Sequence, residues 1–196
     1  NQYTRPILIK GVTGSGKTEV YMAAIEKALQ KGKQCIVLVP EISLTPQTVD
    51  RFVSRFGDKV AVTHSRLSDG ERYDQWNRAR KNEISVMIGP RSAIFTPFEN
   101  LGLVVIDEEH ETTYKSDQQN PKFDAREVAE KLGELYNSVT VLGSATPSIT
   151  SFYKAKNNIY KLVELNNRVN NTYPDVKIAD MRNELAEGNK SIFSRD

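Results

Sequence analysis

The chain has 196 residues, with 27 Lys and Arg against 25 Asp and Glu and 38% hydrophobic residues, enough for one complete core or for one domain with a fragment of the next. A net charge of +2 is too small to indicate a nucleic-acid partner by itself, and no apolar stretch is long enough to span a membrane. The single Cys35 excludes an internal disulfide and fits a reducing cytoplasm, and the two histidines, His64 and His110, lack neighbours at ligand spacing, so no zinc site is legible in this piece.

The first residues lead directly into a strand and not into a signal peptide. Pro6-Ile7-Leu8-Ile9-Lys10 is a short apolar run bounded by a proline, as a buried strand is. Gly11-Val12-Thr13-Gly14-Ser15-Gly16-Lys17-Thr18 follows and satisfies G-x-x-x-x-G-K-[ST] at every defined position. Tyr21, Ala24, Ile25, Ala28 and Leu29 then recur at helical spacing, and Lys31-Gly32-Lys33 reads as the helix stop. Cys35–Val39 is a continuous apolar run expected of a strand covered on both faces, with Cys35 a buried structural thiol; Pro40 ends it. A second helix carries Val49, Phe52, Val53 and Phe56 on one face and stops at Gly57, and Val60–Val62 is a short strand. Ser68-x-x-Glu71 is a capping box that opens a third helix to about Arg80, with Tyr73 and Trp76 expected on its inward face. Ile84–Ile88 and Leu103–Ile106 are two further strands. Ala125, Val128, Ala129, Leu132, Leu135 and Tyr136 mark the stripe of a strong helix. Val139–Leu142 is a strand, Pro147–Lys156 a helix and Ile159–Leu165 an extended run.

Strands alternating with helices at short spacing predict an α/β fold, a doubly wound parallel sheet with flanking helices. Ligands then bind beyond the carboxyl ends of the strands. Residues 1–165 read as this one lobe. The asparagine-rich stretch 166–175 reads as a linker, and 176–196, with a strand over Val176–Ala179 and a helix over Met181–Glu187, as the truncated opening of a second lobe.

The chemistry begins at the glycine loop. Gly11, Gly14 and Gly16 admit backbone angles closed to other residues, so that successive N–H groups converge on one concavity, and the following helix adds its positive end. The phosphate-binding set is Gly11, Thr13, Gly14, Ser15, Gly16, Lys17, Thr18 and Glu19, with Lys17 reaching the β- and γ-phosphates and Thr18 ligating Mg²⁺. Leu103-Val104-Val105-Ile106-Asp107-Glu108-Glu109-His110 delivers carboxylates to the end of a strand beside that loop. Asp107 is the expected Mg²⁺ partner and Glu108 the expected general base for an attacking water.

Asp107-Glu108-Glu109-His110 resembles the D-E-x-H box of superfamily 2 helicases, and Gly143-Ser144-Ala145-Thr146 resembles their S-A-T motif. With Gly11–Tyr21, Val39–Gln47, Gly89–Phe98 and Gly143–Pro147, the chain is similar to the first RecA-like motor lobe of the replication-restart (primosomal) helicase family. That resemblance implies ATP- and Mg²⁺-driven 3′-to-5′ translocation on single-stranded and forked DNA. It also implies a second helicase lobe and replisome-loading proteins as partners, with no membrane involved. It assigns strand tracking to Thr45, Gln47, Arg91 and Ser92, polar groups suited to phosphate contacts. The plainer alternatives are a helix N-cap for Thr45 and a surface arginine for Arg91. His64-Ser65 is a weaker version of the same idea. The loop with Tyr114, Lys115, Lys122, Phe123 and Arg126 resembles aromatic-rich loops that couple DNA to hydrolysis, its aromatic contact resting on Tyr114 or Phe123. Pro121 and Asp124 depart from that pattern, and Phe123 serves equally well as a core anchor. Ser144 and Thr146, with Gly143 and Ala145, are the implied relay between nucleotide and DNA. Two alternatives stand beside this one: a UvrB-like repair ATPase lobe, and a nucleotide-binding, partner-docking module. Because superfamily 2 motors supply an arginine from the second lobe, slow hydrolysis is expected of this piece alone.

Overall fold

The computed structural model describes residues 4–117, 120–168, 179–186, 188–191 and 193. The strands in chain order are β1 (Ile7–Gly11), β2 (Gln34–Leu38), β3 (Val60–Val62), β4 (Val86–Gly89), β5 (Leu101–Ile106), β6 (Lys115–Ser116), β7 (Phe123–Asp124), β8 (Val139–Ser144) and β9 (Lys161–Leu165). β6 and β7 pair antiparallel as a small hairpin that sequence periodicity does not reveal; the other seven form one parallel sheet in the order β3-β4-β2-β5-β8-β1-β9. The helices are α1 (Lys17–Gln30), α2 (Pro46–Phe56), α3 (Asp69–Arg80), α4 (Ala125–Tyr136), α5 (Ile149–Lys156) and α6 (Met181–Ala186).

Alternation along the central strands explains the layering. In β2, Ile36 and Leu38 join a core that includes Ala79 of α3, Ala125 and Ala129 of α4, and Ala155 of α5. Cys35 and Val37 face the other way, toward Tyr21, Met22 and Ile25 of α1 and Phe52 of α2. Both faces of each central strand are therefore dry, which is why these strands read as unbroken apolar runs. Cys35 is fully buried, and desolvation pushes its thiol up to about 12, so it remains a protonated, inert thiol.

Register brings the functional ends together. Leu38 lies opposite Gly89 on one side and Ile106 on the other, and Lys10 opposite Ser144. Gly11, Gly89, Asp107 and Ser144 thus emerge along one edge of the sheet, each at a carboxyl end.

Two helices differ from expectation. α3 begins with the expected capping box: Glu71 N donates to Ser68 Oγ at 3.3 Å, and Ser68 N donates to the Glu71 carboxylate at 2.8 Å. Tyr73 and Trp76, however, do not face inward; they are 62% and 39% exposed and stack on each other at 6.4 Å. α3 is polar on almost every side and buries only Ala79, so too little of its surface faces the core to take two large rings. Leu135 and Tyr136 of α4 are also exposed, because the helix presses small residues, Ala125, Ala129 and Gly133, against the sheet. The expected strand over Val176–Ala179 falls outside the described residues except for Ala179, as does most of the linker at 166–175; a helix is present over Met181–Ala186.

Candidate nucleotide and nucleic-acid site

The glycine loop leaves β1 and enters α1 through two left-handed residues, Gly14 (φ 79°) and Gly16 (φ 85°), the latter at the helix N-cap with no side chain covering the first amides. A helix start left open in this way is suited to an anion. Lys17 is buried and donates from Nζ to the Gly11 carbonyl at 2.8 Å, so the ammonium is held over the loop. Thr13, Gly14, Ser15, Gly16, Lys17, Thr18 and Glu19 line a cavity of about 310 Å³ whose remaining wall is Arg51, Asp107 and Glu108. The structure thereby brings the expected phosphate loop and acidic pair into one pocket. Gly11 stands just below: a Cβ there would come within 2.5 Å of Ser15 Oγ and 3.3 Å of the Lys17 side chain. The Glu19 carboxylate turns aside to pair with Arg55 of α2 at 3.1 Å, which leaves its backbone as its contribution to the loop.

Asp107 is fixed by a partner that the sequence did not announce. Tyr21 of α1 is buried and donates its hydroxyl to Asp107 Oδ1 at 3.0 Å. Burial raises the Asp107 pKa, against the lowering effect of that bond and of the Glu108 N–H. Burial and the Asp107 charge likewise raise Glu108, whose backbone is left-handed (φ 46°), an uncommon conformation for glutamate. Two like carboxylates facing a cationic loop suit a divalent ion on one and a proton acceptor on the other.

The box continues into the S-A-T segment by direct contacts. His110 Nδ1 lies 2.8 Å from Ser144 Oγ and 3.6 Å from the Glu108 carboxylate, and Thr146 N donates to Ser144 Oγ at 2.9 Å. Gly143 is required for close approach, since a Cβ on it would meet the Tyr21 hydroxyl at 1.6 Å. Glu109, unassigned by the sequence, is fully buried; it accepts from Ser148 N (2.7 Å), Ser148 Oγ (3.1 Å) and Ser151 Oγ (2.7 Å) at the start of α5. No sequence signal marks that cluster: the expected helix begins at Pro147, whereas α5 begins at Ile149 with Ser148 as its N-cap.

The expected DNA contacts divide into separate places. Arg91 and Ser92 line a cleft of about 480 Å³ with Glu41, His64, Ser65 and Arg72. Glu41 accepts from the Ser65 N–H at 2.8 Å, which holds its carboxyl below the usual range, and buried His64 Nδ1 has no hydrogen-bond partner among the described residues. Arg91 donates to the carbonyls of Thr113 and Lys115, both at 3.1 Å, and so ties the loop after the acidic box to the end of β4. Thr45 is the N-cap of α2, accepting from Thr48 N at 3.2 Å, and Gln47 lines a different groove beside Glu19 and Arg55.

The aromatic loop needs correction. Tyr114 is only 1% exposed, and its hydroxyl donates to the carbonyls of Leu38 and Asp107, so its ring cannot stack on a base here. Arg126 binds Asp124 through two nitrogens and donates to the Glu109 carbonyl at 2.8 Å; its guanidinium anchors the loop and does not reach outward. Phe123 is half-buried and meets Phe95 edge to face at 4.9 Å, which agrees with the anchoring alternative. Lys115 and Lys122 are exposed on the hairpin.

The fold and this pocket define a class: the chain belongs to the DEAD/DEAH box helicase family, whose model matches residues 2–154. Among characterised proteins, it is 55% identical over 95% of its length to replication restart protein PriA of Bacillus subtilis (strain 168). It is 50% identical over 96% of its length to replication restart protein PriA of Synechocystis sp.. In each case it spans 23% of the relative's own length, about a quarter. Among solved structures, RecG bound to a three-way DNA junction matches with a TM-score of 0.61 and 27% identity, over 93% of this chain and 24% of that one.

Proposed function

We propose that the chain is the ATP-binding lobe of a DNA-dependent ATPase and 3′-to-5′ DNA helicase acting in replication restart and primosome assembly. The observation that carries the reading is the convergence of Lys17, Thr18, Asp107 and Glu108 on one pocket at the strand ends. The residues there fit a magnesium–nucleotide. The first amides of α1 are uncapped, and Ser15 Oγ is buried without a hydrogen-bond partner among the described residues, a donor prepared for a phosphate oxygen. Thr18 and Asp107 would hold Mg²⁺, which supplies charge neutralisation on the phosphates. Lys17 binds and orients the terminal phosphates, Glu108 takes a proton from the attacking water, and Tyr21 keeps Asp107 aimed into the pocket. The contacts from Glu108 through His110 to Ser144 and Thr146 give nucleotide state a route toward the segment that follows β8. The names of the PriA relatives support the replication-restart role, and the cleft around Arg91 is where a DNA backbone would lie.

In this reading the chain alone binds Mg²⁺–ADP and Mg²⁺–ATP but turns over slowly, because the opposing lobe contributes on the order of a thousandfold in such motors. Titration with a fluorescent nucleotide, and steady-state hydrolysis with and without single-stranded DNA, test it. Lys17→Ala abolishes binding, whereas Glu108→Gln retains binding and loses residual turnover. Robust DNA-stimulated hydrolysis by these 196 residues would overturn the slow-lobe reading, and loss of binding in Glu108→Gln would overturn the division of roles.

A further inference from the structure

We infer that Arg51 of α2 binds the terminal phosphate and makes the pocket prefer a nucleoside triphosphate to a diphosphate. The inference rests on the nucleotide-binding reading above. Two cavities meet at the acidic pair. One, of about 310 Å³, is walled by Thr13–Glu19 with Arg51, Asp107 and Glu108. The other, of about 210 Å³, is lined by Thr18, Ser43, Thr48, Arg51, Asp107 and Glu108 among others. Thr18, Arg51, Asp107 and Glu108 are common to both, whereas the loop glycines border only the first. A polyphosphate seated on the loop amides extends its distal end toward the acidic pair, so Arg51 stands at the third phosphate and not at the first two.

The side chain is available and its helix is tied to the sheet and to α1. Arg51 is exposed and makes no hydrogen bond or ion pair with the described residues, although two carboxylates share its cavity. One turn further along α2, Arg55 grips α1 at both Glu19 (3.1 Å) and Glu26 (3.0 Å), and Phe52 is buried against the sheet. These contacts link α2 to the helix that follows the glycine loop. A guanidinium offers a planar fork of donors matched to phosphate oxygens, which an ammonium such as that of Lys17 does not. The α2 N-cap is Thr45, so the same short helix joins the end of β2 to the phosphate pocket.

The test is affinity of the 196-residue chain for Mg²⁺–ADP and for Mg²⁺ with a non-hydrolysable ATP analogue, by calorimetry. Arg51→Ala weakens the triphosphate analogue by about tenfold or more, the loss expected for a charged hydrogen bond, and changes ADP by less than about twofold. Arg51→Lys recovers part of the loss, because charge returns without the fork. Equal weakening of both nucleotides, or of neither, overturns the role of Arg51 and leaves nucleotide binding intact. Failure of the unsubstituted chain to bind either nucleotide overturns both readings.

Discussion

Gly143 and Tyr21 show how one atom governs the acidic pair. The Tyr21 hydroxyl occupies the space that a methyl group at position 143 would need, and from there it bonds to Asp107. Gly143→Ala therefore displaces the ring, and overpacking of this kind destabilises by about 1–3 kcal/mol. Nucleotide affinity falls with it. Tyr21→Phe in the same chain recovers part of the stability but not the Asp107 bond, because the ring carbon is still 2.7 Å from the new methyl. Denaturant unfolding of the two single variants and the double variant reads this coupling. Asp107 makes the complementary case through pH. Its carboxyl is raised in the folded chain, so the folded state binds its proton more tightly than the unfolded state does. Its burial thus lowers stability as pH rises from the ordinary carboxylate range through the raised value. Asp107→Asn is accordingly more stable than the unsubstituted chain at neutral pH without nucleotide, and the gain shrinks as pH falls toward 4, as unfolding at several pH values shows.

The elements carry a second layer of organisation, in which capping groups come from distant parts of the chain. α5 begins at Ser148, whose hydroxyl accepts from Ser151 N at 3.2 Å, while the buried Glu109 carboxylate gathers the neighbouring donors. A negative group at a helix start is favoured by the local dipole. Ser148→Ala costs about 1 kcal/mol, as an N-cap loss does. Glu109→Ala costs more, toward the upper end of about 1–3 kcal/mol, because it leaves buried donors without an acceptor. Thermal unfolding separates the two. At this scale the sequence is legible where periodicity and local motifs dominate: the strands of the sheet, the starts of α1 and α3, and the phosphate loop with its carboxylates. It is silent where a side chain acts across the fold. Tyr21 reads as one member of a helix stripe, Glu109 as a spare acid, and Tyr114 and Arg126 as surface groups of a DNA loop, because long-range hydrogen bonds have no spacing. Tyr73 and Trp76 misled for the opposite reason, since a helical spacing of aromatics looks like a core face even on a helix that is polar all round.

At the scale of the whole molecule, the place of β1 in the sheet has a consequence for synthesis. β1 is hydrogen-bonded only to the last two sheet strands: Ile7 lies opposite Val141 of β8 and Lys161 of β9. β2, β3, β4 and β5, by contrast, pair among themselves. During translation the glycine loop leaves the ribosome well before β8, and the strand that aims it has no neighbour until β8 emerges. At about 5–20 residues per second that interval lasts roughly 6 to 25 seconds. Parallel pairing across most of the chain is also slow to form. A chain ending at Ser138 therefore lacks both partners of β1 and binds no nucleotide, which calorimetry on the shortened protein reads directly. On the nucleotide-binding reading proposed above, a nascent lobe therefore stays blind to ATP until the strand bearing its S-A-T segment has been made.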